Sequence, residues 1–379
     1  MQFIGPTSRK TVTIPDNIMY EDGKTYTVNK IGECAFMESN VVTVNMPSTI
    51  REIGACAFQD CPRFSKGKVL IIPEGIQTIG MEAFKGCLMT GVEFPSSLKL
   101  LDEAAFEGTK IASVKFSKLK NDLTIGDFAF EDCTSLTEVA IPSKTVSLGY
   151  AAFSGCSALT TVSIPATLKK IQTFCFEYCK ALTTVSLASG VTTIGTGAFR
   201  SCVSLKGIII PNSVKKLEQQ AFQNTGLVTI TLPGSVTNVP WCAFSGCDNL
   251  ATVNLPSTLK SIESGAFFEC PSLLTIRCDA TTPPDCSDEA VFSKESYAGA
   301  KLIIPEASRS AYSKAEIWKK FKWWLTSGIS LPEASDDALE ELTGVEYYTL
   351  QGVRVNADNM QDGTIYICRT TAGSKLVRK

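Results

Sequence analysis

Apolar side chains recur along this chain in a fixed grammar rather than in one face-to-face period. A stretch such as Leu159-x-x-Val162-x-Ile164 alternates inward and outward positions, the signature of a short strand with one buried face. Proline closes it at Pro165, and the same strand exit recurs at Pro15, Pro47, Pro73, Pro95, Pro142, Pro211, Pro233, Pro256 and Pro305. A proline there removes an N–H where no ladder bond is required. Downstream follows an apolar pair, as in Leu168-x-x-Ile171, and then the segment Ile-Gly-x-x-Ala-Phe, as in Ile79 to Phe84. We read Gly80 as the residue that admits a positive φ in that turn, the alanine as room for the backbone, and the phenylalanine as the filler of the centre.

The dipeptide Ala-Phe places that phenylalanine at positions 36, 58, 84, 106, 130, 153, 199, 222, 244 and 267, and Phe176 and Phe292 occupy the same slot. Successive steps run from 22 to 26 residues with a modal value of 23. A period of that length predicts a solenoid in which each unit is one coil and equivalent strands pair side by side in a parallel sheet. One unit could not fold alone. Burying a phenylalanine and four aliphatics yields roughly 10 kcal/mol, against about 1.5 kcal/mol of ordering cost for each residue of the coil. Stacking between neighbours closes that gap.

These spacings, with the phenylalanine, the strand-exit proline and a recurring cysteine, resemble the leucine-rich repeats of the BspA-like group of bacterial and protist surface proteins, over residues 8–325. The resemblance implies a right-handed superhelix of about twelve repeats, exported or attached to a surface and engaged in adhesion to host or matrix proteins. It implies a protein partner and no cofactor.

Composition narrows the chemistry further. The chain has no histidine, which removes Ser-His-Asp and Cys-His nucleophiles and histidine-based zinc sites. No carboxylate pair stands at a spacing that singles it out for glycoside hydrolysis. We therefore name no catalytic, cofactor or metal residue, and read the chain as not an enzyme. Its 36 basic and 38 acidic residues balance to −2, so no net field favours nucleic acid or an anionic membrane. No apolar run is long enough to span a bilayer. The opening residues 1–10 lack the head and apolar stretch of a signal peptide, and Thr11 to Pro15 already belong to a repeat lacking its front half. Met1 reads as a start left after removal of a signal segment, and the expected location is secreted or cell-surface.

Of the 15 cysteines, eight stand three residues after the repeat phenylalanine: Cys61, Cys87, Cys133, Cys156, Cys179, Cys202, Cys247 and Cys270. Cys34, Cys56 and Cys242 precede it by two, and Cys175 by one. Metal binding, redox work and disulfide stapling compete with a plainer reading, a small apolar thiol filling a fixed place inside each coil. Parallel side chains on stacked coils do not face one another, and the plainer reading is preferred. Cys175 and Cys179 each occupy a repeat slot and form no zinc pair.

The outward strand positions form the expected displayed wall, concave and often ligand-binding in solenoids of this kind. They are Thr11 and Thr13, Thr43 and Asn45, Glu93, Ser113 and Lys115, Glu138, Thr161 and Ser163, Thr184 and Ser186, Thr229 and Thr231, Thr252 and Asn254, Thr275 and Arg277. Two units depart from this polar pattern, with Val69 and Ile71, and with Gly207 and Ile209. The wall carries no aromatic residue. Solvent-facing Thr and Ser also suit any strand, so the stripe by itself assigns no binding residue.

Residues 1–325 form the solenoid, with 306–325 as its C-terminal cap: an amphipathic helix carrying Trp318, Phe321, Trp323 and Trp324 over the open end. Residues 326–343 read as a linker. Residues 344–379 read as a small β module, whose Leu350-Gln351-Gly352-x-Arg354-Val355 and Gly363-x-Ile365-Tyr366-Ile367 resemble the C-terminal sorting domain of proteins that Bacteroidetes send across the outer membrane. The module is shorter than a typical sorting domain, so a relic or a separate small fold element stands beside that reading. A structural spacer is the alternative function, and an enzyme accessory a weaker one. Oligomeric state is left unassigned.

Overall fold

A computed structural model describes residues 2–3, 10–327, 346–349, 354–355, 365–370 and 373–378, with side chains described over 10–326. The chain divides into two compact units, Met1–Leu325 and Thr326–Lys379. The first is a parallel solenoid of about 13 turns.

Each coil contributes one strand to a first wall. Register is residue for residue, as in Thr161↔Thr184, Val162↔Val185, Ser163↔Ser186 and Ile164↔Leu187. The wall has three parts: Thr11–Thr13 with Thr43–Asn45, six strands from Val69–Ile71 to Thr184–Leu187, and five from Thr229–Thr231 to Trp323–Ser327. A second wall of mostly two-residue strands runs through the aliphatic residue in the isoleucine slot of the Ile-Gly turn, as in Glu52–Ile53, Thr78–Ile79 and Leu100–Leu101. This second ladder lies in what the sequence presents as a turn.

The twelve repeat phenylalanines form one unbroken column from Phe36 to Phe292, with neighbouring ring centroids 5.0–5.6 Å apart and planes within 21° of parallel. All are fully buried or nearly so. Offset stacking adds to burial at each step, so the column welds each coil to both neighbours. It ends at Phe292, where Trp318 and Phe321 turn their edges toward the ring at 5.9 and 5.2 Å.

The glycine of Ile-Gly does something other than expected. Gly54, Gly80, Gly126, Gly149 and Gly195 do not adopt positive φ. A Cβ at Gly80 would instead stand 2.8 Å from the amide nitrogen of Ala55 and 2.9 Å from the carbonyl carbon of Gly54, so the glycine permits backbone to pack on backbone. Positive φ falls two residues before and two after each repeat phenylalanine from Phe36 to Phe267, and non-glycine side chains hold many of those places, among them Cys34, Cys56, Phe128 and Phe174 before, and Asp60, Asp132 and Tyr178 after. Interstrand bonds fix those residues: Phe128 N donates to Tyr150 O and Phe174 N to Thr196 O, both at 2.8 Å.

The cap is a compact set of short elements. It comprises the helix Arg309–Lys314, the 3-10 turn Trp318–Lys320 and the strand Trp323–Ser327, which extends the sheet. Tyr312 and Trp318 are buried and anchored, Tyr312 Oη donating to Ala280 O at 2.9 Å and Trp318 Nε1 to Pro284 O at 2.8 Å. Trp323 stands outward. An antiparallel hairpin, Asn17–Met19 with Thr25–Thr27, lengthens the first coil. Residues 328–343 of the expected linker lie outside the described residues. The second unit contains a four-stranded antiparallel sheet in the order Arg354–Val355, Glu346–Thr349, Ile365–Thr370, Gly373–Arg378.

Candidate interaction surface

The first wall positions its outward side chains by alternation alone, and the register sets them in rows along the solenoid. One row runs Val69, Gly91, Ser113, Glu138, Thr161, Thr184, and another begins Ile71, Glu93, Lys115. Most of the sequence-predicted positions are exposed; Glu93, Thr252, Asn254 and Thr275 are half-buried. Ala140 stands exposed beside Ser163, completing a position the sequence reading passed over.

Polar members of the wall bond to one another across coils. Asn45 Nδ2 donates to Thr13 Oγ1 at 3.1 Å, Asn254 Nδ2 to Thr231 Oγ1 at 3.0 Å, and Lys115 Nζ approaches Glu93 Oε1 at 3.4 Å. These contacts tie neighbouring coils together across the exposed face.

The two departures from the polar pattern coincide with the two breaks in the sheet. Val69–Ile71 is the edge strand of the six-stranded part, and Val69 and Ile71 are 49% and 68% exposed. Gly91 beside Val69 deepens the apolar spot, since a Cβ there would come within 3.3 Å of Val69 Cγ2. At the second break, Gly207 to Ile210 join no strand ladder, although their burial alternates as a strand's would. Ile209 is 86% exposed there, with Val203 and Val228 also outward. Sheet edges bearing exposed aliphatics are sites where partner chains pair or pack.

Two further clusters lie off this wall. Phe128, Tyr150 and Phe174 meet edge to face at 5.2 and 5.6 Å, and Arg200 lies over Phe174 with Cζ 4.9 Å from the ring centre while pairing with the buried Glu177. Aromatic residues two or three places before a repeat phenylalanine are the signal that sequence reading missed. Near the cap, a cleft of about 480 Å³ is lined by Pro283, Asp285, Asp288, Glu316, Ile317 and Trp318 among others.

The cysteines of the phenylalanine-plus-three slot point inward, whereas Cys34 is exposed. Each of the eight at the phenylalanine-plus-three slot donates its thiol to the carbonyl of the previous coil's phenylalanine, from Cys61 to Phe36 O at 2.8 Å to Cys179 to Phe153 O at 3.3 Å. Ser39, Thr109 and Thr225 replace cysteine in the slot and place a hydroxyl against the next coil's sulfur. Burial pushes the Cys247 thiol up to about 11 and Cys87 up to about 12, which suppresses thiolate chemistry. The fourteen cysteines whose side chains are described are free thiols. Among the described residues no group of three or more Cys, Asp or Glu side chains is placed to hold a metal ion, and no helix is long and apolar enough to cross a membrane.

The sequence profile described as "BspA type Leucine rich repeat region (6 copies)" matches residues 8–69, 63–183, 117–228 and 169–294, which overlap to span 8–294. Among solved structures, the pneumococcal vaccine antigen PcpA shares 20% identity over 85% of this chain and 90% of its own, with a TM-score of 0.51. The leucine-rich repeat protein TpLRR of T. pallidum shares 29% identity over 48% of this chain and 78% of its own, at a TM-score of 0.40. A leucine-rich cell surface protein from Faecalibacterium prausnitzii shares 20% over 90% and 91%, at 0.34. No curated protein matches the sequence.

Proposed function

This chain belongs to the BspA-type leucine-rich repeat family, and we propose on that footing that it is an exported or cell-surface adhesin that binds a host or matrix protein through its first wall. The coarser part of the reading, a non-enzymatic repeat scaffold of the protein-interacting kind, follows from the solenoid and its inert, inward thiols. The finer part is carried by one observation. The apolar departures of the wall, Val69 with Ile71 and Ile209, sit at its two breaks and expose aliphatic surface there. A partner that packs on these aliphatics buries apolar surface that the polar remainder of the wall does not offer.

Export draws support from the C-terminal segments that resemble a sorting domain, of which Arg354–Val355 and Ile365 to Ile367 lie in strands and Leu350 to Gly352 lie outside the described residues. The proposed location is the cell surface or the medium.

The test is binding of the purified chain to immobilised matrix proteins, plasma proteins and mucins. Saturable binding to one protein that falls at least tenfold in Ile71→Lys, or in a variant with Thr161, Ser163, Thr184 and Ser186 changed to Glu, supports the adhesin. Binding to none of them refutes it and favours a spacer that holds another module away from the cell.

A further inference from the structure

The balanced net charge of −2 conceals a local separation of sign in part of the solenoid. The segment that turns around the repeat phenylalanine is acidic, with Asp102, Glu103, Asp127, Glu131 and Asp132 in two consecutive coils. The segment after the strand exit, leading into the second ladder, is basic over the same stretch of the solenoid. It carries Lys99, Lys118, Lys120, Lys144, Lys169 and Lys215, all exposed. None of these six forms an ion pair. Lys170 and Lys216, their immediate neighbours, share Glu218 at 3.1 and 3.2 Å and add one uncompensated charge to the same edge.

Backbone bonds tie these residues into two runs, Lys99 with Lys144 through Leu123 and Thr124, and Lys169 with Lys215 through Thr192, whose coil carries no lysine at that place. Lys99 O accepts from Thr124 N at 2.8 Å, Lys169 O from Thr192 N at 2.8 Å, and Thr192 O from Lys215 N at 2.9 Å, while Lys120 N donates to Ser96 O and Lys144 Nζ to Lys120 O. The column of rings rises 5.0–5.6 Å per coil. Five steps from Lys99 to Lys215 therefore make a row roughly 28 Å long. The carboxylates bordering it are few: Asp122, Glu218, and Glu74, which is held by Ser96 N and Ser96 Oγ at 2.9 Å.

We propose that this lysine row is a binding edge for a linear sulfated or carboxylated polysaccharide lying along the solenoid axis, separate from the protein-binding wall. Complementarity of charge selects a polyanion. Between the lysines stand small polar side chains, Ser143, Thr167 and Asn212, exposed and able to hydrogen-bond sulfate and hydroxyl oxygens. No exposed aromatic ring interrupts the row, so unpaired nucleobases find nothing to stack on. It also lacks the apolar pockets that anchor a polypeptide, Val146 being its one exposed large aliphatic among the described residues. The acidic turn edge repels the same ligand and confines it to one side.

The experiment measures retention of the full chain on immobilised heparin across a salt gradient, beside a variant with Lys99, Lys120, Lys144, Lys169 and Lys215 changed to Gln. A second variant neutralises Lys66, Lys68, Lys180 and Lys206, which are exposed elsewhere. Far-UV circular dichroism confirms that both fold. Salt-sensitive retention weakened about tenfold or more in the row variant and little changed in the control supports the proposal. Equal weakening in both variants, absence of retention, or displacement by poly-glutamate as effective as by free heparin overturns it.

Discussion

Removing one ring from the phenylalanine column should divide the solenoid rather than merely weaken it. Phe106 is fully buried, stacks on Phe84 at 5.0 Å and Phe130 at 5.6 Å, and meets the edge of Phe94 at 5.5 Å. Phe106→Ala deletes those contacts and leaves a cavity between two coils, at a cost of about 3–5 kcal/mol. In an array held by nearest-neighbour interfaces the loss is local. All four tryptophans, Trp241, Trp318, Trp323 and Trp324, lie C-terminal to it. Urea unfolding followed by far-UV circular dichroism should therefore gain an early phase, displaced by about 1–3 M at a typical slope, as the N-terminal coils melt. Tryptophan fluorescence should keep the wild-type midpoint. Coincident displacement of both probes would refute local coupling, and a change below about 1 kcal/mol in either would refute the claim that the column holds the coils together.

Three further outcomes follow from particular sites. Burial, followed by the carboxylates of Asp132 and Glu107, pushes Glu131 up to about 7 from its ordinary value of 4.5. The folded state thus holds this proton more tightly, and stability present below pH 4.5 is lost as pH rises through 7. Glu131→Gln should accordingly raise the urea midpoint at pH 8 and leave it unchanged at pH 4; an equal effect at both would count against the assignment. Thiol titration of the native chain with a maleimide should modify Cys34, the exposed cysteine, well before the ten buried ones, which should react only on unfolding; rapid native labelling of Cys156 would contradict the inward thiols. Gly149→Ala should destabilise by more than about 3 kcal/mol, because its Cβ would collide with the backbone of Gly126 and Asp127; a thermal midpoint unchanged from wild type would show that the coils can part to admit it.

The column, the strands and the buried thiols were legible because each repeats at a fixed offset from a phenylalanine. Repetition averages out local ambiguity, so Cys61 and Cys270 could be placed by the same slot. The breaks in the wall were not legible. Gly207 to Ile210 read as a strand as good as any, since alternation reports burial and their burial does alternate; whether the amides reach the neighbouring coils depends on backbone spacing that side-chain pattern does not encode. The role of Gly80 was misread for a related reason: a glycine reserved for close approach and one reserved for positive φ are the same letter. The lysine row escaped notice because net charge sums over the coil, and Lys99 cancels Asp102 only on paper.

The phenylalanine steps vary from 22 to 26 residues, yet the ring spacing stays between 5.0 and 5.6 Å; the longest step, Phe58 to Phe84, spans 5.2 Å. Pitch is thus uncoupled from repeat length. Added residues bulge outward, as Arg63 and Lys66 to Lys68 do while Phe64 turns in against Phe58, and the next coil still lands in its place. A lineage carrying such a chain can lengthen, shorten or recast what one coil presents without renegotiating the position of every coil beyond it.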